Sequence, residues 1–271
     1  MEEINWTQFR IKNNRDQRLA ALLLRSKSEP DSGRQETGKN PLVIVCHGFT
    51  GSKEGRGQAL AMGEQLALLG YGTLLFDFAG SGESDGENRD RTLSGQVDDL
   101  AAIVRWARQQ SFGPIILSGR SFGGSTVLSY AARDQQIDAV CTWAAVTRLE
   151  RLFLPLIGGS AAGPAEELVT IKSEEGQLAL KLKFFQDLSQ HDLASCAAAI
   201  SPRSLLIVHG SDDQSVPAAD AEILYQAAGE PKKLVIIEGA DHRFSSHTDQ
   251  VWQAFFSWLE ELPLHRLSNL N

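Results

Sequence analysis

The chain has 271 residues, 42% of them hydrophobic, a formal charge of −8 and three cysteines, a size and content that fit one large α/β domain carrying an insertion. An acidic balance with no basic stripe excludes nucleic acid and anionic membranes as partners, and no apolar run approaches a membrane span. Cys46 and Cys141 lie in strand-like runs and read as small buried thiols rather than disulfides or metal ligands. The opening MEEINWTQFRIKNN lacks the apolar centre of a secretory signal, which argues for a cytoplasmic protein or a chain trimmed of its leader.

In chain order, residues 4–11 alternate as a strand, Asn13 to Asp16 makes a turn, and Leu19 to Leu24 returns as a second strand, an amino-terminal hairpin. Ser26 to Asn40 is a polar loop. Leu42 to Cys46 is a buried strand ending in His47-Gly48-Phe49-Thr50-Gly51, and the helix after it puts Met62, Leu66 and Leu69 on one face. Thr73 to Phe76 is another strand, running into the Gly-rich loop Asp77 to Gly86. No Gly-Lys-Ser/Thr closes that loop and no G-x-G-x-x-G opens a helix, so it reads as a crossover and not as a phosphate cradle. A helix over about Thr92 to Gln110 carries Val97, Leu100, Ala101, Val104 and Ala107 on one stripe.

Ile115 to Ala132 is the stretch around which the chain is organised. A buried strand, Ile115-Ile-Leu117, leads into Gly119-Arg-Ser121-Phe-Gly123, and Val127, Leu128 and Ala131 follow at helical spacing. A serine caught between strand and helix, with small residues two positions away on each side, reads as a nucleophile elbow. Ile137 to Trp143 is the next strand. From Thr147 to about Ser201 the strand-helix rhythm breaks, with two short amphipathic stretches, and the segment reads as an inserted cap. The division expected is a core of 1–146 and 202–271 with a cap of 147–201. Rhythm resumes with strand Ser204 to Val208, a helix carrying Ala221, Leu224, Tyr225 and Ala228, strand Lys233 to Ile237, and a last helix with Trp252, Phe255, Phe256 and Leu259. Alternation of this kind predicts a parallel sheet covered on both faces, with functional groups at the carboxyl ends of its strands.

A serine hydroxyl near neutral pH needs a base, normally a histidine held from behind by a carboxylate. His191 and His265 read as surface residues, His47 and His209 as pins for neighbouring loop backbone, and His247 as the start of the last helix. That leaves His242, on the loop after the final strand. The carboxylate comes from Asp212 or Asp213, since successive extended residues point in opposite directions and one of the pair is left to shape the loop or cap the helix. Asp241 is a weaker rival.

The motifs His47-Gly-Phe-Thr50, Asp77 to Gly86, Gly119 to Gly123, His209-Gly-Ser-Asp-Asp213 and Glu238 to Phe244, in this order, resemble the α/β-hydrolase superfamily. Within it they are nearest to small bacterial carboxylesterases of the feruloyl and cinnamoyl esterase type, and the likeness spans nearly the whole chain. It implies Ser121 as nucleophile, His242 as base and Asp213 as the acid, an oxyanion hole of the Phe49 and Phe122 N–H groups, and no cofactor or metal. The chain departs from that pattern at Arg120, where such esterases commonly carry histidine. The expectation is a serine hydrolase acting on small, aryl-acyl included, carboxylic esters, with a homodimer left open as the assembly. A peptidase or thioesterase with the same triad is the alternative, and behind it a catalytically silent binding protein. Leu152, Phe153, Leu154, Leu156, Phe184 and Phe185 are the expected wall of the acyl site.

Overall fold

A computed structural model describes residues 5–26, 39–110, 112–163, 166–173 and 176–263. Most of the polar stretch after Ser26, and His265, lie outside these residues.

The elements are β1 (Thr7–Lys12), β2 (Arg18–Leu24), β3 (Leu42–Cys46), α1 (Gln58–Leu68), β4 (Gly72–Phe76), α2 (Leu93–Gln109), β5 (Ile115–Arg120), α3 (Phe122–Ala131), β6 (Ala139–Trp143), α4 (Leu149–Phe153), β7 (Ile157–Gly163), β8 (Glu166–Ser173), β9 (Gly176–Lys181), α5 (Leu182–Leu188), α6 (Leu193–Ala198), β10 (Ser204–Gly210), α7 (Ala219–Ala227), β11 (Lys232–Ile237) and α8 (Thr248–Glu261). Eight strands form one sheet in the order β1-β2-β4-β3-β5-β6-β10-β11. The hairpin β1–β2 is antiparallel and joins β4 antiparallel, and from β4 to β11 every pairing is parallel. Parallel strands are linked by crossovers, and helices cover both faces. One face packs Met62, Leu66, Phe255, Trp258 and Leu259 of α1 and α8 against Val43, Ile116 and Val208. The other packs Leu100, Val104, Val127, Leu128 and Leu224 of α2, α3 and α7 against Ile44, Leu117 and Ile207. Leu69 is the exception to the predicted α1 face. The helix ends at Leu68, and Leu69 is 44% exposed. Among the described residues no helix is long and apolar enough to cross a membrane.

Between β6 and β10 the chain builds a separate antiparallel sheet, β7-β8-β9, flanked by α4, α5 and α6. The amphipathic stretch from Glu166 is a strand, and the one from Leu178 is the end of a strand followed by a helix. This segment is bonded to the body of the protein. Ile171, Leu180, Phe184, Phe185 and Leu188 belong to the same apolar cluster as α2 and α3. The Asp187 carboxylate accepts the Ser94 N–H (3.0 Å), and Lys181 and Lys183 reach Asp90 at 2.9 and 3.1 Å.

Candidate active site

β5 ends at Arg120 and α3 begins at Phe122, so Ser121 alone makes the turn, with φ 54° and ψ −123°. A non-glycine residue is held there only by its surroundings. The Ser121 N–H donates to the Trp143 carbonyl (2.8 Å), and its own carbonyl accepts from Gly124 (2.8 Å) and Ser125 (3.2 Å). The flanking glycines are required by close approach. A Cβ on Gly119 would lie 2.3 Å from the Gly123 oxygen, and one on Gly123 would lie 2.4 Å from the carbonyl oxygens of Cys46 and His47.

The loops after β10 and β11 meet this turn. Ser121 Oγ lies 3.0 Å from His242 Nε2, and His242 Nδ1 lies 2.7 Å from Asp213 Oδ2. A carboxylate only accepts, so Nδ1 carries the ring proton and Nε2 is left to accept from the serine hydroxyl. The second Asp213 oxygen accepts the N–H groups of Ser215 (2.9 Å) and Val216 (2.7 Å). His209 donates from Nε2 to the Val216 carbonyl (2.9 Å) and lies 3.3 Å from Asp213 Oδ2. Burial works to raise the Asp213 carboxyl, but His209, His242 and the Val216 N–H together hold it below the usual carboxylate range.

The structure thus brings Ser121, His242 and Asp213 together and leaves the competing acids apart. Asp212 is exposed and accepts from Ser211 Oγ (3.1 Å), and α7 has no side-chain cap, so Asp212 is not its capping residue. Asp241 is tied to Ser245 through both its N–H and its hydroxyl, each at 2.8 Å. His47 pins backbone as read, donating from Nδ1 to the Gly48 carbonyl (2.7 Å) and accepting the Phe78 N–H (3.3 Å). His247 is the N-cap of α8. His191 is a correction: its side chain is 2% exposed and bonds Ser94 Oγ (3.1 Å) and Asp187 (3.4 Å), because α5 folds back onto α2.

Phe49 and Phe122 meet edge to face at 5.4 Å, and Phe122 N–H is one of the donors that the first turn of a helix leaves unused. Arg91, which sequence reading passed over, holds this region. Its guanidinium donates to the Phe49 carbonyl and to Ser81 Oγ (2.7 Å) and lies 4.6 Å over the Phe49 ring. It is 4% exposed, and burial pushes its pKa down to about 10. Lys53, also missed, reaches the buried Asp77 (3.0 Å) and Glu83 (2.6 Å), tying the loop after β3 to the loop after β4. Both contacts join residues distant in sequence, so no local pattern announces them.

Ser121 and His242 open on a cavity of about 880 Å³, lined also by Phe49 and Val216 among others. Of the expected wall, Leu152, Phe153 and Leu156 line it. Leu154 is 44% exposed, and Phe184 and Phe185 are buried in the main core, with Phe184 packed behind Phe49 (tilted, 5.4 Å) and edge to face with Phe153 (5.0 Å). Among the described residues no group of three or more His, Cys, Asp or Glu side chains is placed to hold a metal ion.

The family model of the α/β hydrolase fold matches residues 41–158. An uncharacterised 31.7 kDa protein of Escherichia coli is 36% identical over 105 residues, which is 38% of this chain and 36% of that relative, so the chain spans about a third of its length. Human mitochondrial palmitoyl-protein thioesterase ABHD10 is 26% identical over 219 residues, 78% of this chain and 70% of that protein. Among solved structures, Est1E from Butyrivibrio proteoclasticus with bound ferulic acid superposes with a TM-score of 0.80 at 26% identity, covering 94% of this chain and 98% of Est1E. The order of the sheet, the turn that carries Ser121 and these likenesses give the chain the α/β-hydrolase fold and make it similar to esterases and thioesterases of that fold.

Proposed function

We propose that the chain is a serine hydrolase that cleaves small carboxylic esters through an acyl-enzyme. The observation that carries this reading is the continuous relay from Ser121 Oγ to His242 (3.0 Å) to Asp213 (2.7 Å), opening on a partly apolar cavity. Ser121 Oγ attacks the carbonyl carbon as its proton passes to His242 Nε2, and the imidazolium so formed is stabilised by Asp213. The carbonyl electrons move onto oxygen, in reach of the Phe49 and Phe122 N–H groups, each such donor lowering the barrier by about 3 to 4 kcal/mol. His242 then protonates the departing alkoxide, and water, activated by the same imidazole, releases the acid. The insertion of residues 147–201 acts as a cap, and Leu152, Phe153 and Leu156 give the acyl group a compact apolar wall, in keeping with the ferulic acid bound by Est1E.

Thioester hydrolysis is the second reading, favoured by the likeness to the palmitoyl-protein thioesterase. The test is kcat/KM across acetyl, butyryl, cinnamoyl and long-chain oxyesters beside matched thioesters, with Ser121→Ala as the blank. Short or aryl-acyl oxyesters are expected to lead. An optimum at long-chain thioesters would move the assignment to the second reading, and equal rates for the wild type and Ser121→Ala would end both.

A further inference from the structure

The cavity has two unlike walls. On one side it is bounded by Leu152, Phe153 and Leu156, which pack on the cluster shared with α2 and α3. On the other it runs between the starts of α1 and α8, where Gln58 reaches Thr248 at 3.4 Å, and there Met62 and Trp252 belong to the opposite cluster. Three arginines line this cavity: Arg56 just before α1, Arg120 immediately before Ser121, and Arg243 immediately after His242. Lys53 lines it too, already held by Asp77 and Glu83. No aspartate or glutamate is among the described residues that line it, in a chain whose net charge is −8. Such an inversion of sign focuses a positive field on the site.

Arg120 is close to the reacting serine. One point beside Gly48 lies 3.3 Å from Ser121 Cβ and 3.8 Å from an Arg120 guanidinium nitrogen. That guanidinium also helps push the pKa of the neighbouring His47 down. A guanidinium carries five N–H donors in a planar fork, so an arginine anchored through some of them still binds a carboxylate or phosphate through the rest.

Resting on the hydrolase reading above, we propose that the substrate is bipartite: an apolar acyl group lies against Leu152, Phe153 and Leu156, and the leaving group carries an anionic oxygen group, a carboxylate or a phosphate, that is held by Arg56, Arg120 and Arg243. The reaction is then the hydrolysis of an acyl ester of an acidic alcohol component. The acyl–oxygen bond breaks, water supplies the hydroxyl of the released acid, and the alcohol departs with its charge unchanged.

The test compares para-carboxyphenyl butyrate with its neutral near-isostere para-carbamoylphenyl butyrate, with para-phosphonophenyl butyrate as the second anion and para-carbamoylphenyl hemisuccinate placing the charge on the acyl side. One or both leaving-group anions should exceed the neutral ester in kcat/KM by about tenfold or more, the gain of one charge-assisted hydrogen-bonded contact, and the better anion names the group. The hemisuccinate should show no such gain. Within Arg120→Met and Arg243→Met the anionic-to-neutral ratio should fall toward one, and because the ratio is read inside each variant, lost folded protein cancels. Equal or faster turnover of the neutral ester, or a ratio unmoved in both variants, overturns the proposal while leaving the hydrolase reading intact. No turnover of any of the four esters removes both.

Discussion

Asp77 and Asp213 are two buried carboxylates, each just past the carboxyl end of a parallel strand, and they are put to opposite uses. Asp77 gives one oxygen to the Lys53 N–H (2.7 Å) and the other to Lys53 Nζ (3.0 Å) and the Glu83 N–H (3.0 Å). Its partners are a fixed cation and backbone, so it clamps two loops and holds no titrating ring. Asp213 also spends one oxygen on backbone, but its other oxygen faces two imidazoles, one of which touches Ser121. Burial of an acid at a strand end therefore does not mark it for catalysis; the proposed role of Asp213 rests on a partner that can gain and lose a proton within reach of a nucleophile.

Substituting each acid separates these roles. Asp213→Asn should lower kcat about 10⁴-fold by leaving His242 in the wrong tautomer, with the melting temperature less affected. Asp212→Asn, on the exposed neighbour, should cost at most severalfold. The next effect belongs to stability. Asp77→Asn takes the buried carboxylate from Lys53, itself 4% exposed, and leaves it Glu83, and should cost about 2 kcal/mol in urea unfolding. If Asp77→Asn proved the worse catalyst and Asp213→Asn the less stable protein, the assignment of the two acids would be reversed.

Acid titration sharpens the contrast further. Burial, aided by Arg91 and Arg120, pulls the His47 pKa down to about 4 against its bond to the Gly48 carbonyl. Between the unfolded value near 6.5 and that value the unfolded chain binds a proton that the native protein refuses, so stability is full above about pH 6.5 and falls by roughly 3 kcal/mol as pH drops toward 4. Asp213, held below the usual carboxylate range, contributes above about pH 4 and loses that contribution only at lower pH. Thermal melts from pH 7 to 4 should show the first loss, and His47→Gln, which keeps a donor and an acceptor, should flatten it. A wild-type profile that is level over this window would contradict the neutral His47. A smaller effect is expected at Arg91, which acts through the Phe49 peptide. Arg91→Met should lower kcat about tenfold with little change in KM, and Arg91→Lys should recover part of it, whereas a loss confined to thermal stability would reduce Arg91 to a packing residue.

Much of the core was legible because it is local. Leu42 to Cys46 is a continuous apolar run bounded by polar loops, and it is β3 from first residue to last. The elbow was legible because its glycines report a backbone collision at fixed spacing. Leu69 was misread because apolar periodicity runs past the helix end, where the chain turns it to solvent. The sheet β7-β8-β9 went unread since IGGSAAG of β7 and EELVTIKS of β8 lack the continuous apolar runs of the parallel strands, and residues such as Ile171 and Leu180 become core only by docking on distant helices. His191 looked exposed for the same reason: its burial is made by α2, far away in the chain.

Site-mapped labelling by a fluorophosphonate tests most directly the claim that Ser121 is the attacking group. One adduct per chain is expected, on the peptide that contains Ser121, with ester turnover lost in proportion and no adduct on Ser121→Ala. An adduct on another serine, or unlabelled protein that still hydrolyses esters, would contradict it.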